Sequence, residues 1–130
     1  MSQDSDFSAM PAIRVIMMPK DTNALGTIFG GVILSYIDQA GAVEAHRTVD
    51  GRIVTVAMRE VVFHAPVFVG DLVSFFTRTK RVGTSSVTVD VTVEAERGHP
   101  GGPKVKVTEA EMVFVHVGED GRPLSIPARS

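Results

Sequence analysis

A chain that offers a single helix must cover it with sheet. Phe29–Arg47 is the one long stretch here whose apolar residues recur at helical spacing, with Val32, Tyr36 and Ala40 on one stripe and Ile33, Ile37 and Gly41 beside them. Ser35, Asp38, Gln39 and Glu44 are the exceptions. A helix so apolar is expected to be buried on more than one side, and at 1.5 Å per residue it is about 27 Å long. Gly41 lowers its helix propensity by about 1 kcal/mol, so a glycine there points to close packing. After Asp50-Gly51 almost everything reads as strand. One long apolar helix followed by strands leaves a strongly curved sheet wrapped around the helix as the simplest packing, an α+β fold.

The strands are expected near Ala12–Met18, Arg52–Ala57, Arg59–Ala65, Asp71–Val82, Ser85–Glu96 and Lys104–Val117. Ser85–Glu96 alternates cleanly, with Val87, Val89, Val91, Val93 and Ala95 on one face and Thr88, Asp90, Thr92, Glu94 and Glu96 on the other. The links Pro66–Gly70, Gly83-Thr84 and Arg97–Pro103 are short, which favours antiparallel neighbours, since parallel crossovers need a dozen residues or more. Lys104–Val117 does not keep one phase. Val105 and Val107 share parity with Val113, Val115 and Val117, yet Ala110, Met112 and Phe114 make the opposite face apolar too. A bulge would shift the register; cover by another subunit would explain two apolar faces, and is the preferred reading.

With 130 residues and no repeats, the expectation is one domain, residues 12–118, flanked by flexible termini at 1–11 and 119–130. Only 6% of the chain is aromatic, so aliphatic side chains must fill the core. The absence of cysteine excludes disulfides, thiolate nucleophiles and Cys-type zinc sites. The four histidines have no metal-ligand spacing, so no metal is expected. A net charge of −2 without a basic block argues against nucleic acid as a partner. Met1–Met10 has two Asp and no basic residue, unlike a signal peptide, and the apolar run Ile28–Ile37 is too short to span a bilayer. A cytoplasmic protein without membrane insertion is the expectation.

The chemistry concentrates in Lys20–Arg47. Gly30-Gly31 allows either close approach of another part of the chain or a helix start whose free N–H groups face a ligand oxygen. Asp38 stands about two turns further on. It is either a hydrogen-bonded or solvated acid of no special role, or a general base or nucleophile in a partly dry pocket, where burial can raise a carboxyl pKa. Asn23 is a turn former that could also place water or substrate. Thr27 is a candidate N-cap. Lys80–Ser86 is either a solvated hairpin rim or a phosphate clamp. No GxSxG elbow surrounds any serine, so no serine triad is expected.

Met18–Asn23, Gly26–Gly31, Asp38–Gly41, Phe63–Asp71 and Val82–Ser86, taken as an ordered set, resemble the hotdog-fold acyl-CoA thioesterases, in particular the YciA-like and brain-type acyl-CoA hydrolase group. The resemblance extends from about Val15 to Val117. It implies a curved antiparallel sheet around one central helix, and hydrolysis of acyl-CoA to free CoA and a carboxylate. It implies no added cofactor, CoA being part of the substrate. It also implies a homodimer as the minimum unit, with further assembly into a homohexamer, a trimer of dimers. By position, Asp38 matches the catalytic acid and Asn23 its polar partner from the opposite subunit. Gly31, with Gly30, matches the N–H that polarises the thioester carbonyl. Arg81, Gly83, Ser85 and Ser86 match the region that handles the CoA nucleotide, and Thr55 lies near the active-site wall. A non-catalytic acyl-CoA-binding protein, or a hotdog thioesterase for acyl-ACP or aromatic acyl-CoA, is the alternative.

Overall fold

The computed structural model describes residues 7–127. The expected loose ends fall partly on residues 1–6 and 128–130, which lie outside the described residues. In chain order the elements are β1 (Ile13–Ile16), α1 (Gly30–Ala45), β2 (Arg52–Phe63), β3 (Leu72–Val82), β4 (Ser86–Glu96) and β5 (Lys104–Val117). The strands form one antiparallel sheet in the order β1-β3-β4-β5-β2. The sheet curves around α1, as the helix-then-strands sequence requires.

The core lies between helix and sheet. Val87, Val89, Val91, Val93 and Ala95 of β4 are all buried, as their alternation predicts. They meet Ile33, Ile37, Ala40 and Ala45 of α1, together with Val73 and Phe75 of β3. Glu44 is the acid among them. It is buried because Thr77 and Thr79 of β3 donate their hydroxyls to its two carboxylate oxygens at 2.9 and 2.8 Å, which offsets the cost of burying the charge. The helix is covered on this face only. Gly31, Ser35, Gln39 and Val43 remain exposed along the opposite face.

Gly41 sits where the helix presses hardest on the sheet. A Cβ there would lie 3.0 Å from two ring atoms of Phe114 and 3.2 Å from Met112, both fully buried. Gly41→Ala gains about 1 kcal/mol of helix propensity, but must displace two side chains that have nowhere to go, at about 1–3 kcal/mol. We expect a net loss of about 1 kcal/mol in urea denaturation. A gain would mean that the contact is slack.

Two expectations are corrected. Arg52–Ala57 and Arg59–Ala65 are one strand, β2, interrupted by register shifts between Thr55 and Ala57 and between Arg59 and Val62. Glu60, in the second, has φ 57°, unusual for a non-glycine residue. The shifts break the alternation and make one strand read as two. In β5, the bulge accounts for the change of phase. Val93 pairs with Thr108 and Glu94 with Lys106, so Val107 is the extra residue. Odd positions face the core before it, even positions after it, and Thr108, Ala110, Met112 and Phe114 are buried as a result. The other face carries Glu109 and Glu111, which pair with cations rather than with an apolar surface.

β2 is an edge strand with one neighbour, and Val54, Val56, Val62 and Phe63 stand exposed on it. Beyond β5 the chain turns at Gly118–Gly121 and runs back. Leu124 N–H donates to His116 O and Ile126 N–H to Thr84 O. Among the described residues no helix is long and apolar enough to cross a membrane.

Candidate functional site

Within one chain the candidate residues fall into three groups. The first is at the start of α1. Gly30 and Gly31 open the helix after Phe29, which supplies no side-chain cap. The expected N-cap, Thr27, is used elsewhere: it bridges to Phe68, and its hydroxyl accepts a hydrogen bond from Asn23. The N–H groups of Gly30 and Gly31 therefore meet no acceptor among the described residues. Both glycines are exposed, and a Cβ on Gly31 would meet nothing within 4 Å. Two free donors at the positive end of a helix dipole suit an oxygen that carries negative charge.

Asn23 shapes the loop in front of this helix start. Its side-chain oxygen accepts from Leu25 N–H at 2.8 Å and Thr27 N–H at 3.2 Å, while its amide nitrogen donates to Thr27 Oγ1 at 2.8 Å. It is thus a turn residue, as its type predicts, and its amide retains a second N–H. The loop rests on the Pro66–Gly70 connector through Ile28 N–H to Val67 O, 2.8 Å. That connector is held by Asp71, which is fully buried. Its carboxylate accepts from the Arg97 guanidinium at 2.5 Å, from Gly98 N–H at 2.8 Å and from Phe68 N–H at 2.9 Å. Arg97 also donates to Pro66 O and lies over the Phe68 ring. Arg97 lies 26 residues along the chain from Asp71, so no local sequence pattern joins the two.

The second group is Asp38 and Thr55. Asp38 lies on the less covered side of α1, half-buried, and Thr55 of β2 donates its hydroxyl to Asp38 Oδ1 at 2.7 Å. One carboxylate oxygen is thereby fixed, and no hydrogen bond to Oδ2 is recorded among the described residues. The eight residues from Gly30 to Asp38 correspond to about 12 Å along a helix axis.

The third group is the β3–β4 link. Val54 pairs with Val115, and Val115 with Ser86, so this link lies two strands from β2, roughly 10 Å across the sheet. Gly83 N–H donates to Ser86 O at 2.8 Å. Arg81 is exposed and makes no ion pair among the described residues. Lys80 does not join a phosphate clamp with it. It donates to Glu111 on the outer face of the sheet at 2.7 Å, and that hydrogen bond raises the Lys80 pKa.

A cavity of about 340 Å³ opens beside the helix start, between Gly30 and Ile33 of α1, Phe63 of β2 and Val67 of the connector. His64 is at its edge and shares a 2.8 Å hydrogen bond with Glu109. The Lys106 ammonium, and next the His64 ring, hold the Glu109 carboxyl below the usual carboxylate range. No group of three or more His, Asp or Glu among the described residues is placed to hold a metal ion.

Comparison with known proteins gives this arrangement a context. The thioesterase superfamily matches residues 25–101. The acyl-CoA thioester hydrolase YciA of Salmonella typhimurium is 39% identical over 119 residues, covering 90% of this chain and 90% of that protein. Among solved structures, a hexameric hotdog fold thioesterase of Campylobacter jejuni superposes with a TM-score of 0.85 at 41% identity, covering 92% of this chain and 91% of that one. A hexameric thioesterase of Yersinia pestis superposes with a TM-score of 0.87 at 37% identity, covering 92% of this chain and 96% of that one.

Proposed function

The chain belongs to the thioesterase superfamily, and from that premise we propose a site shared between two copies, with Asp38 as the general base. The chain is an acyl-CoA thioesterase of the YciA-like hotdog group and hydrolyses acyl-CoA to CoA and a carboxylate. The observation that carries the reading of the site is the Thr55–Asp38 hydrogen bond, which leaves one carboxylate oxygen for water.

Attack on a carbonyl needs water within about 3 Å of the carbon. Asp38 and the free N–H groups of its own helix stand about 12 Å apart along the axis. A second copy, docked on the exposed β2 edge with its helix antiparallel, supplies the other half of the site and covers Val54 and Val56. The homodimer is then the minimum active unit, and three dimers form a hexamer like those of the Campylobacter and Yersinia relatives.

In the reaction, N–H of Gly31, with Gly30 beside it, stabilises negative charge on the thioester oxygen. Asp38 takes a proton from water as the water oxygen attacks the carbonyl carbon. The tetrahedral intermediate collapses, the C–S bond breaks, and CoA leaves as a thiolate. Asn23 of the opposite copy offers its remaining amide N–H to the water or substrate. Arg81 and the Gly83–Ser86 link face the nucleotide portion of CoA, with Arg81 as the cation for its phosphates.

Free-thiol release from a panel of acyl-CoAs tests the activity. A folded protein that binds CoA but releases no thiol would make it an acyl-CoA binder. Mixing tests the shared site. Asn23→Ala and Asp38→Ala proteins, each inactive, are unfolded and refolded together. Half the dimers are then mixed and carry one intact site each, so activity returns to about one quarter of wild type. No recovery with proven subunit exchange overturns the shared site.

A further inference from the structure

The chain runs on past the sheet. After β5 it turns at residues 118–121 and comes back as a strap, residues 123–126. Three hydrogen bonds tie the strap down. Leu124 N–H donates to His116 O at 2.8 Å, Nδ1 of the His116 ring donates to Ser125 O at 3.2 Å, and Ile126 N–H donates to Thr84 O at 2.7 Å. Apolar burial adds little: Leu124 is 46% exposed, and of the strap only Ile126 packs partly against the core.

The far end of the strap meets the β3–β4 link, which closes without it. Gly83 N–H already bonds Ser86 O, and Ser85 O accepts from His116 N–H of β5 at 2.8 Å. What the strap adds is one bond at the tip. In a planar trans peptide the C=O and the N–H point opposite ways. With Thr84 O turned to Ile126, the Ser85 N–H of the same peptide points away from the strap. Neither that N–H nor the Thr84 N–H meets an acceptor among the described residues, and Arg81 and Thr84 are exposed. The peptide plane at the tip is thus set by a segment outside the five strands.

We propose that Ile126 is a positioning residue for CoA: its N–H, through Thr84 O, holds the tip of the β3–β4 link in the orientation that receives the nucleotide portion of the substrate. This rests on the reading of Arg81 and the β3–β4 link as the nucleotide region. A loop already held in its binding shape leaves less ordering to the ligand, and so binds it more tightly. Among the described residues no hydrogen bond joins the strap to Asp38, Thr55 or the start of α1. The strap therefore acts on the hold of the nucleotide and leaves the chemical step alone.

The test uses two substrates with the same acyl group and thioester: butyryl-CoA, and S-butyryl pantetheine, which lacks the nucleotide. Free-thiol release gives kcat and KM for wild type, Ile126→Pro and Ile126→Ala. Ile126→Pro removes the N–H and should raise KM for butyryl-CoA about fivefold, the scale of one hydrogen bond, with kcat near wild type. Its use of S-butyryl pantetheine should match wild type. Ile126→Ala loses the side chain, keeps the N–H, and should restore a KM close to wild type. An unchanged KM for butyryl-CoA in Ile126→Pro overturns the proposal. So does an equal loss on both substrates, a fall in kcat alone, or a rise in KM as large in Ile126→Ala. If Ile126→Pro fails to fold, Leu124→Pro decides: it removes the neighbouring bond to His116 O and should raise KM for butyryl-CoA alone, with an unchanged KM or an equal loss on both substrates counting against the strap. Arg81→Ala keeps the two readings apart. If it raises KM for butyryl-CoA and not for S-butyryl pantetheine, the link meets the nucleotide, and an unaffected Ile126→Pro defeats the strap alone. If Arg81→Ala changes neither substrate, the nucleotide reading fails and takes this proposal with it.

Discussion

Asp38→Asn should fold normally and lose roughly 100- to 10,000-fold in kcat, the range associated with removing a general base. Asparagine retains the shape of the side chain and an oxygen to accept the Thr55 hydroxyl, so the 2.7 Å contact with β2 survives. What disappears is the capacity of the second oxygen to take a proton from water. KM should change little, because the carboxylate is assigned to the chemistry and not to holding CoA. Free-thiol release measured beside a circular dichroism spectrum separates a dead site from a misfolded one. A folded Asp38→Asn with wild-type kcat would remove Asp38 from the reaction. Thr55→Val then asks a finer question: it leaves the carboxylate but frees its orientation, and should lower kcat by less than Asp38→Asn does.

Asp71→Ala carries the largest expected loss of stability, about 3–5 kcal/mol, in line with breaking a buried ion pair by removing one partner. Asp71 is wholly inside, and three donors converge on it. Its removal leaves the Arg97 guanidinium beside an empty space and two backbone N–H groups without acceptors. A domain stable by about 5–15 kcal/mol can lose much of its margin this way. Urea denaturation at fixed protein concentration measures it, since assembly makes the midpoint concentration-dependent. A loss under about 1 kcal/mol would show that water replaces the carboxylate. Because the Pro66–Gly70 connector supports Ile28 and Thr27, a partly folded Asp71→Ala should also position Gly30 and Gly31 less well.

The helix and most strands were legible because their periods differ and the links between strands are short. β4 alternates without interruption, and the pattern predicts its limits to within one residue. Single inserted residues were not legible. Val107 is an ordinary valine among valines, and only its pairing with neither strand position reveals the bulge. The irregularities in β2 divided one strand into two for the same reason. Asp38 stands out as a lone acid among apolar helical neighbours; Thr55 is reached only through the family resemblance, and its hydrogen bond to Asp38 is not legible, since no local pattern joins a helix position to a strand across a turn. The residue type of Asn23 fits both a turn and a catalytic part; the geometry displays the turn. The pairing of Arg97 with Asp71 depends on residues brought together only by the completed sheet.

The strand order gives synthesis of the chain a fixed sequence of events. β2 leaves the ribosome directly after the helix, yet its partner is β5, the last strand to be made. Until then Thr55 belongs to a segment with no ladder on either side, and Asp38 has no fixed donor. The exposed valines of β2 are meanwhile a sticky edge without a neighbour. The scaffold that holds Thr55 against Asp38 therefore arrives with the final strand, and a chain cut short before Lys104 holds every residue proposed for hydrolysis without that scaffold.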